Sequence, residues 1–151
     1  DAVKVECNGK NYKIIKSIVD LGIPVMGHIG FTPQYLKKFK VQGILEKDKS
    51  RLLDQAIKNQ KAGVFSIVLE CINTSTAKAI TKSLQIPTIG IGSSVHCDGQ
   101  ILVTDDMLGL SGFYPKFVKK FVNLKNIIEI AVKKYKKAVR TKKFPNKKNT
   151  Y

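Results

Sequence analysis

Val25-Met26-Gly27-His28-Ile29-Gly30-Phe31-Thr32-Pro33-Gln34 combines an apolar run, two glycines and a titratable histidine. An apolar strand running into such a turn delivers a polar side chain to a loop, where glycine lets the backbone bend tightly or approach a ligand. His28 reads as a pocket group or as a hydrogen-bonded core imidazole. Lys4 and Glu6 are two residues apart, so in a strand they share one face while Val3 and Val5 take the other. That carboxylate can bind a hard cation and that ammonium can pair with an anionic substrate, or the two can form an edge-strand ion pair. Glu70 closes the apolar run Ser66-Ile67-Val68-Leu69, which fits a partly desolvated general base, a helix cap or a structural salt bridge. Gly90-Ile91-Gly92 lacks the third glycine of a dinucleotide fingerprint, and His96 in Ser93-Ser94-Val95-His96-Cys97-Asp98-Gly99 reads as an exposed loop residue.

These side chains need strands to carry them. Short apolar runs alternate with helix-period segments along the chain, the pattern of repeated βα units on a parallel sheet. The expected strands are Val3 to Cys7, Ile23 to His28, Val64 to Glu70, Ile86 to Gly92 and Gln100 to Val103. Between the first two, Tyr12, Ile15, Ile18 and Val19 recur at helical spacing. Thr32 to Glu46 reads as a loop or a short helix. A helix capped by Asp48 or Ser50 carries Leu52, Leu53, Ala56 and Ile57 to Gly63, and one capped by Thr74 or Ser75 carries Ala77, Ile80, Thr81 and Leu84. Pro115 suits the first position of a helix bearing Phe117, Val118, Phe121 and Val122. A last helix carries Ile127, Ile128, Ala131, Val132, Tyr135, Ala138 and Val139. In such folds, polar residues at the carboxyl ends of strands converge on one rim, which here gathers Glu6, His28 and Glu70. Residues 1–140 read as one domain and 141–151 as a tail.

Composition agrees with a globular chain of 151 residues, 43% hydrophobic and 25% charged. No apolar run reaches the roughly 18–20 residues of a membrane span. Cys7, Cys71 and Cys97 are too few and too widely spaced for a disulfide framework or a zinc motif, which fits a reducing cytoplasm. The net charge of +16 raises nucleic-acid binding, especially through the lysine-rich tail. Yet 25 lysines stand against only Arg51 and Arg140. Base and phosphate recognition favours the guanidinium fork, so the charge reads first as a solvated surface. The chain opens on a strand-like segment without an initiating Met or a leader, which reads as the start of a fragment.

In order and spacing, the strings VKVE, VMGHIGFTPQ, VQG, FSIVLEC, IPTIGIGSS, DGQILVTDDMLG and YPKFVKKF resemble the ketopantoate hydroxymethyltransferase family over almost the whole chain. The resemblance implies a (β/α)8 TIM barrel of the phosphoenolpyruvate/pyruvate superfamily, here lacking about its first three βα units. It implies a homo-oligomer, commonly a decamer. The implied reaction transfers a one-carbon unit from 5,10-methylenetetrahydrofolate to 3-methyl-2-oxobutanoate, giving 2-dehydropantoate for pantothenate biosynthesis. Through the same resemblance, Glu70 matches the proton acceptor, Glu6 a magnesium (Mg2+) ligand, and Lys4 and His28 substrate-binding residues. The family also uses metal-binding aspartates and a serine on earlier strands, which nothing before Asp1 supplies. The chain alone is therefore expected to be inactive or poorly folded. The competing readings are a related metal-dependent barrel lyase or mutase acting on a 2-oxo acid, and a nonenzymatic lysine-rich module that binds nucleic acid.

Overall fold

The computed structural model describes residues 1–151. The valine- and isoleucine-rich runs form strands: β1 (Val3–Glu6), β2 (Val25–Gly30), β3 (Ser66–Glu70) and β4 (Thr88–Ile91), with a short β5 (Gly99–Gln100). All pair in parallel in the order β1-β2-β3-β4-β5. Neighbours in sequence are thus neighbours in the sheet, which is the winding of a (β/α)8 barrel wall; a doubly wound sheet reverses direction at its centre. Helices α1 (Tyr12–Asp20), α2 (Glu46–Lys61) and α3 (Thr74–Ser83) join the first four strands.

Register assigns the two faces of the sheet. Val5, Val25, Ile29, Ile67 and Leu69 alternate onto one face and pack with Ile15 of α1, Leu52 and Ala56 of α2, and Ala77 and Ile80 of α3. The opposite face receives Lys4, Glu6, Met26, His28, Ser66, Val68 and Glu70, since Lys4 pairs with Met26, Glu6 with His28, and Gly30 with Glu70. Helices therefore consume the apolar face and leave the polar one for chemistry.

Several local expectations are corrected. Helix α2 begins at Glu46 behind Leu45, which makes no side-chain cap. Glu46 and Asp48 instead lie inside the first turn, where negative charge meets the positive helix end, and Lys58 and Lys61 complement the other end. Neither Thr74 nor Ser75 caps α3. Asn73 does, its Oδ1 accepting from the Ser75 N–H at 3.0 Å. The fifth strand lies earlier than expected, at Gly99–Gln100; the Ile101 N–H still donates to the Gly90 carbonyl at 3.0 Å, and Leu102 and Val103 are not strand. No helix starts at Pro115: Val118 N–H closes a turn onto Pro115, and the Phe121 N–H is taken by the Met107 carbonyl at 2.9 Å. With β-branched and aromatic residues and a donor committed outside the segment, a helix has little to stabilise it.

The chain forms two compact units, Asp1–Ile101 and Leu102–Tyr151. The second contains α4 (Thr104–Leu108) and α5 (Leu124–Arg140), the latter matching the last expected helix. Residues 141–151 contain turns and no helix or strand. No helix is long and apolar enough to cross a membrane.

The end of the first unit is tied by one carboxylate. Asp98 accepts from the Thr88 N–H at 2.8 Å and from the Thr88 hydroxyl at 2.9 Å. The backbone N–H first, then the hydroxyl, hold its carboxyl below the ordinary value of 3.8. A carboxyl lowered in the folded state contributes stability in full above 3.8 and loses it as pH falls through the lower folded value. Asp98→Asn is accordingly expected to lower urea resistance at neutral pH, with the gap to the parent closing at strongly acidic pH. A gap that widens on acidification would show the sign to be wrong.

Candidate functional site

The polar face of the sheet collects its groups around His28. The imidazole is 2% exposed, in the fourth position of β2, which runs two residues further than the sequence pattern suggested. Lys4 Nζ lies 3.2 Å from its Nδ1, and Glu6 Oε1 lies 4.0 Å from the same atom. On the other side, Glu70 Oε2 lies 3.1 Å from Nε2. This proximity is not an aligned hydrogen bond, because Nε2 has no partner that satisfies it. All four residues assigned to the site by sequence are therefore brought together, with the histidine as their centre.

Each is positioned by a separate device. Glu6 is buried, and its Oε2 accepts from the Gln34 N–H at 3.0 Å, so the loop after β2 fixes the carboxylate at the end of β1. Asn11, just before α1, donates through its side chain to the Glu6 carbonyl at 2.9 Å and holds the backbone there. Glu70 is placed by the β2–β3 ladder and by the Phe31 N–H, which donates to its carbonyl at 2.8 Å. Gly30 lies beside Glu70 with φ of +101°, and a Cβ there would run into the Glu70 carbonyl oxygen and come within 2.7 Å of Ile72. Only glycine takes this conformation without strain.

Behind the sheet, sequence reasoning missed Asn59. This fully buried amide on α2 accepts from the Cys7 thiol at 2.7 Å and donates to the Gln55 carbonyl at 2.9 Å. A Cβ on Gly27 would lie 2.8 Å from its Oδ1. Asn59 thus ties α2 to the strand ends that carry Glu6 and His28, and Gly27 leaves it room. A polar residue at an apolar helical position was the available signal, but its partners lie far away in sequence.

Cys7 and Cys71 are inert here. All three cysteines are free and buried. Burial pushes the Cys7 thiol up from its ordinary value of 9.0. Cys71 is pushed up to about 12, by burial first and then by the neighbouring Glu70 charge. Such thiols stay protonated and are poor nucleophiles. His96 is exposed in its loop, as expected.

Two carboxylates, an ammonium and an imidazole on one partly enclosed face can bind an anionic substrate and move a proton. A divalent ion is a separate matter. Glu6 offers hard oxygen suited to magnesium, but no three His, Cys, Asp or Glu side chains are placed together to hold one ion. These residues do not make a complete metal centre.

Known proteins agree with the motif series. A sequence model described as ketopantoate hydroxymethyltransferase matches residues 1–147. A relative from Bdellovibrio bacteriovorus, named 3-methyl-2-oxobutanoate hydroxymethyltransferase, is 49% identical over 154 residues, covering 99% of this chain and 59% of its own length. Proteins of the same name from Pelagibacter ubique and Thermosipho africanus are 48% and 50% identical, each covering 100% of this chain. The chain spans 58–59% of the length of these relatives. With the family's sequence matched nearly end to end on parallel βα units, the chain belongs to the ketopantoate hydroxymethyltransferase family.

Proposed function

We propose that this chain carries the proton-transfer side of hydroxymethyl transfer from 5,10-methylenetetrahydrofolate to 3-methyl-2-oxobutanoate, giving 2-dehydropantoate in pantothenate biosynthesis. The observation behind this reading is the cluster itself: Glu70 lies 3.1 Å from a buried His28 whose other edge meets Lys4. A 2-oxo acid needs a base at the carbon next to its carbonyl, donors where the enolate charge develops, and a cation for its carboxylate. Glu70 removes the proton, and the carbon so activated attacks the methylene carried by the folate. Lys4 balances the charge of the substrate, and His28 contacts it from the strand between them.

Glu6 would supply one hard oxygen to a divalent ion, magnesium. Such an ion, when bound, would supply Lewis-acid chemistry to the oxo acid. The protein acts as a cytoplasmic homo-oligomer. Residues 1–140 belong to one TIM-barrel domain, followed by the tail 141–151.

The polypeptide carrying this chain is expected to form product from 3-methyl-2-oxobutanoate only when methylenetetrahydrofolate is supplied, with tetrahydrofolate released in equal amount. Turnover of the oxo acid without the folate would favour a lyase or mutase instead.

A further inference from the structure

Between the turn after β2 and helix α2 lies a cavity of about 190 Å³, and none of Lys4, Glu6, His28 or Glu70 borders it. Two of its polar side chains are deeply buried: Thr32 is 5% exposed and Gln55 8%. Their carbonyls are engaged, Gln55 accepting from the Asn59 amide and Thr32 from the Tyr35 and Leu36 N–H groups. The Thr32 hydroxyl and the Gln55 carboxamide have no hydrogen-bond partner in the chain. Burying such groups without a partner is unfavourable, so the cavity presents donors and acceptors that a ligand can satisfy.

Arg51, one turn before Gln55 on α2, is the only charged residue bordering the same space. Its Nη2 stands 3.5 Å from both Gln42 Oε1 and Asp48 Oδ1, at the limit of a hydrogen bond. The side chains of Arg51 and Asp48 are 45% and 43% exposed, and solvent weakens such a pair. The guanidinium is therefore open to a better-matched anion.

We propose that this cavity binds a small 2-hydroxy acid as its monoanion, with the carboxylate on Arg51 and the hydroxyl on Gln55 and Thr32. One fixed positive charge matches one negative charge, and the planar guanidinium fork matches a carboxylate. A hydroxyl both donates and accepts, as do the carboxamide and the threonine hydroxyl; an oxo group only accepts and would leave Gln55 Oε1 unmatched. Leu36 and the Tyr35 ring supply a wall for a short alkyl group. The volume lies below the roughly 300–1,000 Å³ of pockets for drug-sized molecules, which excludes a folate. Nothing in this assignment depends on the proposed reaction. The ligand also has a route to the strand ends, because Gln34, in the turn that begins at Thr32, holds the Glu6 carboxylate through its N–H. Occupancy braces that turn.

The test is titration of the full chain with 2-hydroxy-3-methylbutanoate, followed by calorimetry and by nitrogen-15 NMR of the side-chain amides. The Gln55 amide signals are expected to shift and saturate, and exchange of the Gln34 N–H to slow. Arg51→Met and Gln55→Leu should each weaken binding by about tenfold or more, the worth of a charge-assisted or buried hydrogen bond, while Lys4→Met leaves it unchanged. Because the Gln55 amide has no partner, Gln55→Leu should not lower the urea midpoint; a clear fall would make that side chain structural and overturn its role as a ligand contact. Binding that survives Arg51→Met but is lost in Lys4→Met would place the acid among Lys4, His28 and Glu70 and overturn the cavity. Inorganic phosphate or 3-methyl-2-oxobutanoate shifting the Gln55 amide at equal concentration would overturn the selectivity for a hydroxy acid. Saturation at Gln55 with unchanged exchange at Gln34 would overturn the bracing of the turn.

Discussion

Glu70→Gln should reduce hydroxymethyl transfer by about 100- to 10,000-fold, the range carried by a positioned general base. The amide keeps the shape of the side chain and its place at the end of β3, but it cannot take a proton. Glu70 is only partly buried and has no aligned partner among the side chains around it, so its removal leaves no orphaned charge network to collapse. Stability against urea should therefore change little, and substrate binding should survive better than kcat. The measurement is kcat and KM by tetrahydrofolate release, with an unfolding curve on the same preparation. Turnover within about tenfold of the parent would take the role of base away from Glu70.

Gly30→Ala should damage both stability and activity. The backbone φ of +101° is one that L side chains rarely adopt. The new Cβ would meet the Glu70 carbonyl, which is backbone and cannot rotate away. Either β2 leaves the ladder or Glu70 shifts, and the Phe31 N–H that holds the Glu70 carbonyl is then displaced. Strain of this kind costs roughly 1–3 kcal/mol before any loss of packing, so a clear fall in the urea midpoint is expected. Turnover should fall with it, because the base moves away from His28. Compared with Glu70→Gln, which spares the fold, the pair separates chemistry from positioning. A Gly30→Ala protein with the parent's unfolding curve would mean that this glycine is not what sets Glu70.

Much of the arrangement was legible from local pattern because a strand repeats every two residues. Lys4 and Glu6 had to share a face whatever the fold, and the apolar run before Glu70 had to be a buried strand. Helices α1, α2, α3 and α5 followed from apolar spacing of three and four. What failed were features set by the partner that wins a given backbone group. Asn73 caps α3 because its side chain reaches Ser75 N–H first, although Thr74 and Ser75 are acceptable caps by type. The segment after Pro115 has a suitable start for a helix, yet its Phe121 N–H is bonded to Met107.

By itself the sequence determined the βα alternation, the residue types at the strand ends and the family. Only the tertiary structure decided that His28 stands between Lys4 and Glu70, that Gln34 N–H holds Glu6, and that Asn59 reaches Cys7 from α2. The reason is physical. Side-chain face follows from the local backbone period, whereas contact between strands follows from register, and register is fixed by how the apolar faces pack against helices far away in the chain.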